Sequence, residues 1–343
     1  MSDEAIHVGV IGAGDNTRSK HIPGLQAIDG VEVVAVCNRS EESSNRVAKE
    51  FGIPEVHRNW LDLIDDSATE AIVIGTWPYM HCRASLATLE AGKHVMCEAR
   101  MAMNAEEAHL MLDASRRNPD LVAQIVPSPM TLRVDKKIKS LIADGYLGEV
   151  LAVELRGGGS FLDADGPMHW RYNFDLSGYN TMSMGIWYEA LMRWVGPASR
   201  IMATGKTYVR SRKDEAGVVH PCRIPEHIDV IGEMACGAQL HLQVSSVAGL
   251  AGSPEAFLFG SEGTLRYSGN NLYGGRKGDS ELQEIEISPE DEGSWRVEEE
   301  FINAIRRKEV ITHTDFETGV KYMEFTEAVY LSMVSGQAVS LPF

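Results

Sequence analysis

Residues 6–17, Ile-His-Val-Gly-Val-Ile-Gly-Ala-Gly-Asp-Asn-Thr, constrain this chain more than any other stretch. An apolar, strand-type run ends in Gly12-Ala13-Gly14 and passes into a segment able to start a helix. Glycines at such a turn let a ligand approach the backbone, and the free N–H groups of the first helical turn face negative charge. The pattern predicts a pyrophosphate cradle, with Gly12, Gly14, Asn16 and Thr17 at the ligand. The third glycine of the full fingerprint falls on Thr17, so the motif taken alone also fits an ordinary turn between strand and helix. The following segment supports the cradle. A helix is expected over 20–29, then an apolar strand through Val33, Val34, Ala35 and Val36, ending at Cys37-Asn38-Arg39-Ser40. This is the distance at which a ribose reader stands, and an acid there normally holds the ribose hydroxyls and repels a 2′-phosphate. Neutral Asn38 followed by the Arg39 guanidinium and the Ser40 hydroxyl favours a phosphate instead. NADP is therefore expected over NAD, although an Arg39 that stacks on adenine would permit NAD as well.

Beyond this opening the first part of the chain alternates strand and helix patterns. Strands are expected at 71–75, 94–97 and 121–126, and helices at 45–51, 80–91 and 105–117. Such alternation predicts a parallel sheet with covering helices, here an N-terminal Rossmann domain over 1–126. Pro127-Ser128-Pro129 breaks the rhythm. After a helix at 134–144, alternating segments dominate: 151–156, 200–208, 228–236, 238–246, 256–260 and 264–267. They predict a large open, mostly antiparallel sheet in a C-terminal α+β domain over 127–343, with helices at 182–195 and 316–334. The acidic runs 290–292 and 298–300 read as a solvated helix start.

Bulk composition excludes several classes. Acids exceed bases by 49 to 32, a net charge of −17, which argues against nucleic acid as a partner. No apolar run reaches the ~18 residues of a membrane span, and the N-terminus lacks a secretory pattern. Five scattered cysteines without a C-x-x-C pair read as reduced thiols of a cytoplasmic protein. His220 and Cys222, separated by Pro221, have no second ligand pair in view, so no metal is expected. Cys97 reads as a buried strand residue rather than a nucleophile.

From end to end the chain resembles the glucose-fructose oxidoreductase / inositol dehydrogenase / rhizopine catabolism family of sugar oxidoreductases. The resemblance rests on Gly9-Val-Ile-Gly-Ala-Gly14, Thr76-Trp-Pro-Tyr-Met-His81, Gly92-Lys-His-Val-Met-Cys-Glu98, Gly145-Tyr-Leu-Gly-Glu-Val150, Trp170-Arg171, Phe259-Gly-Ser-Glu-Gly-Thr264 and Glu327-Ala-Val-Tyr-Leu-Ser332. It implies a Rossmann domain followed by an open-sheet domain. It also implies hydride transfer between a nicotinamide cofactor and a secondary alcohol on a sugar, cyclitol or related small polyhydroxylated compound. Assembly into a homodimer or homotetramer through the C-terminal sheet is implied too. Thr76, Trp77, His81, Trp170 and Arg171 become cofactor-binding candidates, Glu98 a residue that positions the nicotinamide ribose, and Tyr172 and Trp187 substrate-binding candidates.

The proton-handling residues of that family are missing. Oxidation of a secondary alcohol needs a base for the hydroxyl proton, supplied in the family by the lysine of a Glu-Lys-Pro motif and by an aspartate and a histidine or tyrosine in Asp-x-Gly-x-His. This chain reads Glu98-Ala99-Arg100 and Ser183-Met-Gly185-Ile-Trp187. Ala99 has no polar atom, and an indole donates a hydrogen bond but accepts none. The loss of proline also puts in question the cis peptide that members with the full motif often have there. Three readings follow. An oxidoreductase with a relocated base would use Tyr188, Arg100 or His169, although Tyr188 also fits helix packing, Arg100 a surface or phosphate-facing cation and His169 a structural histidine. A lyase or glycoside hydrolase assisted by transient oxidation would draw on Glu98, Tyr172, Tyr188, Glu189 and His227. A non-catalytic protein would keep the cofactor fold for binding or regulation.

Overall fold

The structure is a computed structural model and describes residues 5–343. Residues 1–4, which bear on the expectation about a leader, lie outside the described residues. The chain forms two compact units. The first comprises Met1–Pro127 and Arg296–Val320, the second Ser128–Trp295 and Lys321–Phe343. The segment Arg296–Val320, expected in the C-terminal domain, thus groups with the first unit.

Unit one is built on six strands: β1 (Ile6–Ile11), β2 (Val31–Cys37), β3 (Glu55–Val56), β4 (Ala71–Ile74), β5 (His94–Cys97) and β6 (Ala123–Ile125). All pairings are parallel, and the order is β3-β2-β1-β4-β5-β6. A parallel sheet covered on both faces needs continuous apolar strands, and β4 is buried at every position. The order reverses between β1 and β4, so a crevice opens there at the carboxyl ends of the strands, where ligands bind such sheets.

The helix after Gly14 starts at residue 15 and widens into a π-type turn over Thr17–His21, closed by the Ile22 N–H on the Thr17 carbonyl. It continues as α1 (Ile22–Gln26), so the helix both starts and ends before the expected 20–29. Thr17 and His21 both point into the protein. The helices that follow are α2 (Glu41–Phe51), α3 (Trp60–Asp65), α4 (Pro78–Glu90) and α5 (Ala105–Arg117). Side-chain oxygens of Ser40, Asn59 and Asn104 accept leading N–H groups of α2, α3 and α5, and Pro78 opens α4, where its missing N–H costs nothing.

Unit two carries α6 (Leu132–Ala143), α7 (Phe174–Ser177) and α8 (Met184–Val195) against a nine-stranded sheet. Its strands in chain order are β7 (Val150–Gly158), β8 (Ala198–Lys206), β9 (Ser211–Lys213), β10 (Val219–Pro221), β11 (His227–Met234), β12 (Gln239–Ser245), β13 (Glu255–Gly260), β14 (Gly263–Ser268), β15 (Asn271–Arg276), β16 (Gln283–Glu284) and β17 (Val339–Ser340). Strands β9 and β10 form a separate hairpin, and the large sheet runs β16-β15-β14-β13-β7-β12-β11-β8-β17. Only β7 and β12 pair in parallel; the other neighbours are antiparallel. One face is buried through Val153, Leu155, Ile228, Val230, Leu240 and Leu258. The other carries half-exposed and exposed side chains, among them the directly opposed pair Met202 and Ile231. The return segment then supplies α9 (Val297–Ile305), and α10 (Phe316–Ser335) follows.

Candidate cofactor site

The glycine turn is held from three sides. Gly12 donates to the Cys37 carbonyl (2.9 Å), Gly75 donates to the Ile11 carbonyl (2.8 Å), and the Ala13 N–H donates to Asn38 Oδ1 (2.7 Å). Gly12 has φ of +83°, and a Cβ there would lie 2.5 Å from Thr76 Cγ2 and 2.8 Å from the Thr76 nitrogen. The tight packing that the third fingerprint glycine normally allows is obtained differently. Thr17 lies against Gly75, where a Cβ would sit 2.0 Å from Thr17 Oγ1 and 2.4 Å from the Gly12 oxygen. The small residue has moved from the helix to the end of β4, which explains why Thr17 is tolerated.

Two features fit a bound dinucleotide. Gly14 is exposed, has no positive φ, and a Cβ there would meet only the Gly75 oxygen at 3.5 Å. The fold therefore does not need glycine at 14, whereas a ligand lying on the backbone does. Thr76 Oγ1 is buried without a hydrogen-bond partner, an arrangement that a ligand oxygen would complete.

The ribose-reading end departs from expectation. Asn38 accepts from Ala13 and donates through Nδ2 to Ser43 Oγ (3.0 Å), so its amide fixes the turn. The Ser40 hydroxyl caps α2 by accepting from Ser43 N–H (3.2 Å) and is not set aside for a phosphate. Arg39 is exposed, with its guanidinium 5.8 Å from the Trp77 ring centroid. Of the three, Arg39 alone presents a charge outward. His81 is fully buried, with Nδ1 2.9 Å from the Arg100 carbonyl and Nε2 2.9 Å from the Thr76 carbonyl. Burial holds its pKa below the ordinary histidine value. It ties two loops together through its two ring nitrogens.

Glu98 follows β5. The Ala99–Arg100 peptide is cis, so the isomer persists without the proline. Glu98 Oε1 accepts from His21 Nε2 (2.9 Å) and from Asn16 Nδ2, and Oε2 accepts from the Ala99 N–H (3.1 Å). On its far side His21 Nδ1 meets Glu298 Oε1 at 2.5 Å. Burial opposes the charge on both Glu98 and His21, but the mutual hydrogen bonds and charges prevail. His21 is pushed up to about 9, and Glu98 is held below the usual carboxylate range. Glu98 is therefore ionised at neutral pH and a poor proton acceptor. The expectation that 298–300 is solvated fails at Glu298 and Glu300, which are 4% and 2% exposed, and holds at Glu299, which is exposed. Glu300 accepts from the Thr312 N–H (2.9 Å), the Thr312 hydroxyl and Gln124 Nε2 (3.2 Å).

Of the three candidate proton-handling side chains, Arg100 belongs to the first unit and Tyr188 and His169 to the second. Tyr188 is completely buried, stacked 3.5 Å from Phe325, and its oxygen accepts the Ala198 N–H (2.8 Å). Burial pushes its phenol well above its ordinary range, so it is a packing residue and not a base. Arg100 is 2% exposed, which rules out a surface cation. His169 is exposed, and its Nδ1 accepts the Arg171 N–H at 3.2 Å. Burial of part of the ring and the Arg171 charge lower its pKa. A neutral ring with Nδ1 so engaged presents an Nε2–H donor to solvent and not a free base.

Nearby, the Arg171 guanidinium lies 4.2 Å over the Trp170 ring, and half-buried Tyr172 lies 4.6 Å under Arg212. Trp187 is a core residue at 3% exposure, 6.2 Å from the Tyr267 ring, which contradicts a substrate-facing role. Glu189 accepts the Ser128 N–H (2.9 Å) and faces Arg193 at 3.6 Å inside the protein. His227 is engaged by Ser245 and Asp229, both at 2.9 Å. Of the acids and bases named for the lyase reading, Tyr188, Glu189 and His227 are thus engaged within the protein. Burial likewise raises the Cys97 thiol far above its ordinary value, and His220 pairs with Asp214 (2.8 Å).

Residues 6–125 match the model of an oxidoreductase family with an NAD-binding Rossmann fold, and residues 136–266 match the GFO/IDH/MocA C-terminal domain. The chain belongs to this family. Unit one is accordingly its NAD-binding domain. Curated relatives include levoglucosan dehydrogenase of Pseudarthrobacter phenanthrenivorans, 25% identical over 54% of this chain and 48% of that protein. Inositol 2-dehydrogenase of Salmonella typhimurium is 29% identical over 44% of this chain and 45% of that protein. The chain spans about half the length of the curated relatives it matches. Among solved structures, levoglucosan dehydrogenase in complex with NADH and levoglucosan shares the fold with a TM-score of 0.85. Its identity is 19%, with 99% of this chain and 100% of that one covered.

Proposed function

We propose that this GFO/IDH/MocA chain interconverts a secondary alcohol and a carbonyl on a sugar, cyclitol or related polyhydroxylated compound. The observation that carries the proposal is the Gly12–Gly14 turn at the β1/β4 crevice with the Glu98 carboxylate, held below the usual carboxylate range, at the end of β5, in a chain whose relatives are named as sugar and inositol dehydrogenases. The nicotinamide dinucleotide supplies the hydride exchange. Gly12, Gly14 and the helix start at 15 hold its pyrophosphate, Thr76 offers the unpartnered hydroxyl, and Glu98 accepts from the nicotinamide ribose.

In the second unit His169 Nε2–H, the Arg171 guanidinium and Tyr172 are donors to substrate oxygens. This donor-rich set polarises a carbonyl oxygen, and proton uptake by His169 requires its 3.2 Å bond from Arg171 N–H to open. The chain works without the family's lysine, and its proton exchange is expected to be correspondingly slow.

Arg39 favours NADP over NAD, since its exposed guanidinium matches a 2′-phosphate. Dissociation constants for both cofactors test this. NADP is expected to bind more tightly, and Arg39→Ala to reverse the order; a much tighter NAD in the unaltered protein overturns the preference. The exposed face of the nine-stranded sheet is the proposed homodimer or homotetramer contact, and a cytoplasmic location fits the unpaired cysteines. Cofactor reduction against a panel of sugars, inositols and glycosides tests the activity. Steady formation of reduced cofactor is expected. Tight binding with no reduction by any member of the panel points instead to a regulatory protein.

A further inference from the structure

The strand order places the two ends of the site on opposite sides of the β1/β4 crevice. Asn38 and Arg39 follow β2 on one side, and Glu98 follows β5 on the other. In a doubly wound sheet the pyrophosphate lies at the switch point and the two nucleoside halves lie to either side. If the proposed cofactor reading holds, Glu98 stands on the nicotinamide half. Both acceptor positions of its Oε1 are taken, by His21 and Asn16, while Oε2 takes one N–H and retains room for one more donor. Its carboxylate side chain is 14% exposed, whereas His21 and Glu298 behind it are 0% and 6% exposed.

We propose that Glu98, His21 and Glu298 act as one positioning unit for the nicotinamide half of the cofactor, with Glu298 fixing Glu98 through His21 without touching the cofactor itself. The three residues come from the loop after β5, the π-type turn before α1 and the first turn of α9. A carboxylate this closely surrounded has one orientation only while the imidazole between the two acids is held on both nitrogens. Removing the Glu298 charge takes away part of what keeps the ring protonated between the two acids, and Glu98 then loses its charge-assisted donor. The charge on His21, pushed up to about 9, makes the same coupling titratable. The ionisable groups at its two ring nitrogens are Glu98 and Glu298. His81, which also senses Glu98 and Arg100, is kept neutral by burial and does not titrate in that window.

The test compares the dinucleotide with ADP, which carries the adenosine and pyrophosphate but lacks the nicotinamide nucleoside. Titration calorimetry on the full chain would use the oxidised dinucleotide and ADP with the unaltered protein, Glu98→Gln, His21→Gln and Glu298→Gln. Each variant is expected to weaken the dinucleotide about tenfold, the effect of about 1.4 kcal/mol from a charge-assisted hydrogen bond. ADP is expected to stay within about twofold. A merely structural role would weaken both ligands alike and overturn the proposal, as would a Glu298→Gln protein with an unchanged ratio. Because His21→Gln is the variant at greatest risk of misfolding, the unaltered protein provides a second measurement. Its ratio of dinucleotide to ADP affinity should fall as pH rises through about 9, and a flat ratio overturns the coupling. If neither ligand binds the unaltered protein, the cofactor reading itself fails, which is a distinct outcome.

Discussion

Gly12, Gly14 and Gly75 are three glycines with three different reasons. Gly12 needs its positive φ, Gly75 needs to be small because Thr17 presses on it, and Gly14 needs only to leave its outer face clear. Gly12→Ala and Gly75→Ala are therefore expected to lower both thermal stability and cofactor affinity, each costing on the order of 2 kcal/mol in stability. Gly14→Ala should keep the melting temperature and weaken the dinucleotide by at least about tenfold. Calorimetric melting beside binding titrations distinguishes the three, and an unchanged affinity for Gly14→Ala contradicts the placement of the pyrophosphate. His21 gives a second expectation. Its folded-state pKa of about 9 lies above the ordinary 6.5, so the stabilisation it provides is complete below about pH 6.5. It is lost as pH rises through about 9. Denaturant unfolding at a series of pH values should show this decline, and His21→Gln should flatten it. Of these residues, Gly12 and Gly14 were legible in the sequence because a pair of glycines between an apolar strand and a helix start leaves a local signature. Gly75 and His21 were not, because their partners are Thr17, Gly12, Glu98 and Glu298, far away along the chain.

At the scale of elements, the strands of unit one were the most readable part. They are short apolar runs between glycines and caps, and a parallel strand buried on both faces has no other way to be written. The return helix α9 was the least readable. Its acidic start looks solvated when counted as charge, yet Glu298 and Glu300 point inward to His21, Gln124 and Thr312. Nothing in a window around residue 298 announces a partner 277 positions away. The same element brings the Glu298 and Glu300 carboxylates to His21 and Gln124 of the N-terminal segment. Glu300→Ala should destabilise the protein by about 3 kcal/mol, since it strips a buried carboxylate from three donors. Urea unfolding reads this directly, and a loss under about 0.5 kcal/mol contradicts the burial. In α8 the periodicity placed Trp187 and Tyr188 on a helix correctly, but both neighbours turned out to be buried, because the helix is covered on more than one side.

At the scale of the whole molecule, the large sheet was legible as alternating segments, and its open face follows from that alternation. The Met202–Ile231 pair leaves apolar side chains 44% and 56% exposed on that face. Ile231→Glu is expected to shift the protein from a homo-oligomer to a monomer in light scattering, and a monomeric unaltered protein contradicts the proposed contact. What the chain does with its cofactor rests on chemistry that no single motif encodes, since the lysine position is Ala99 and the candidates Tyr188 and Arg100 are buried. Hydride transfer itself provides the most direct measurement. The full-length protein is incubated with the oxidised dinucleotide and polyols deuterated at their carbinol carbons, and the cofactor is analysed by mass spectrometry. Reduced cofactor carrying one deuterium at the nicotinamide ring is the expected result. Bound dinucleotide that acquires neither deuterium nor electrons across the panel would contradict an oxidoreductase.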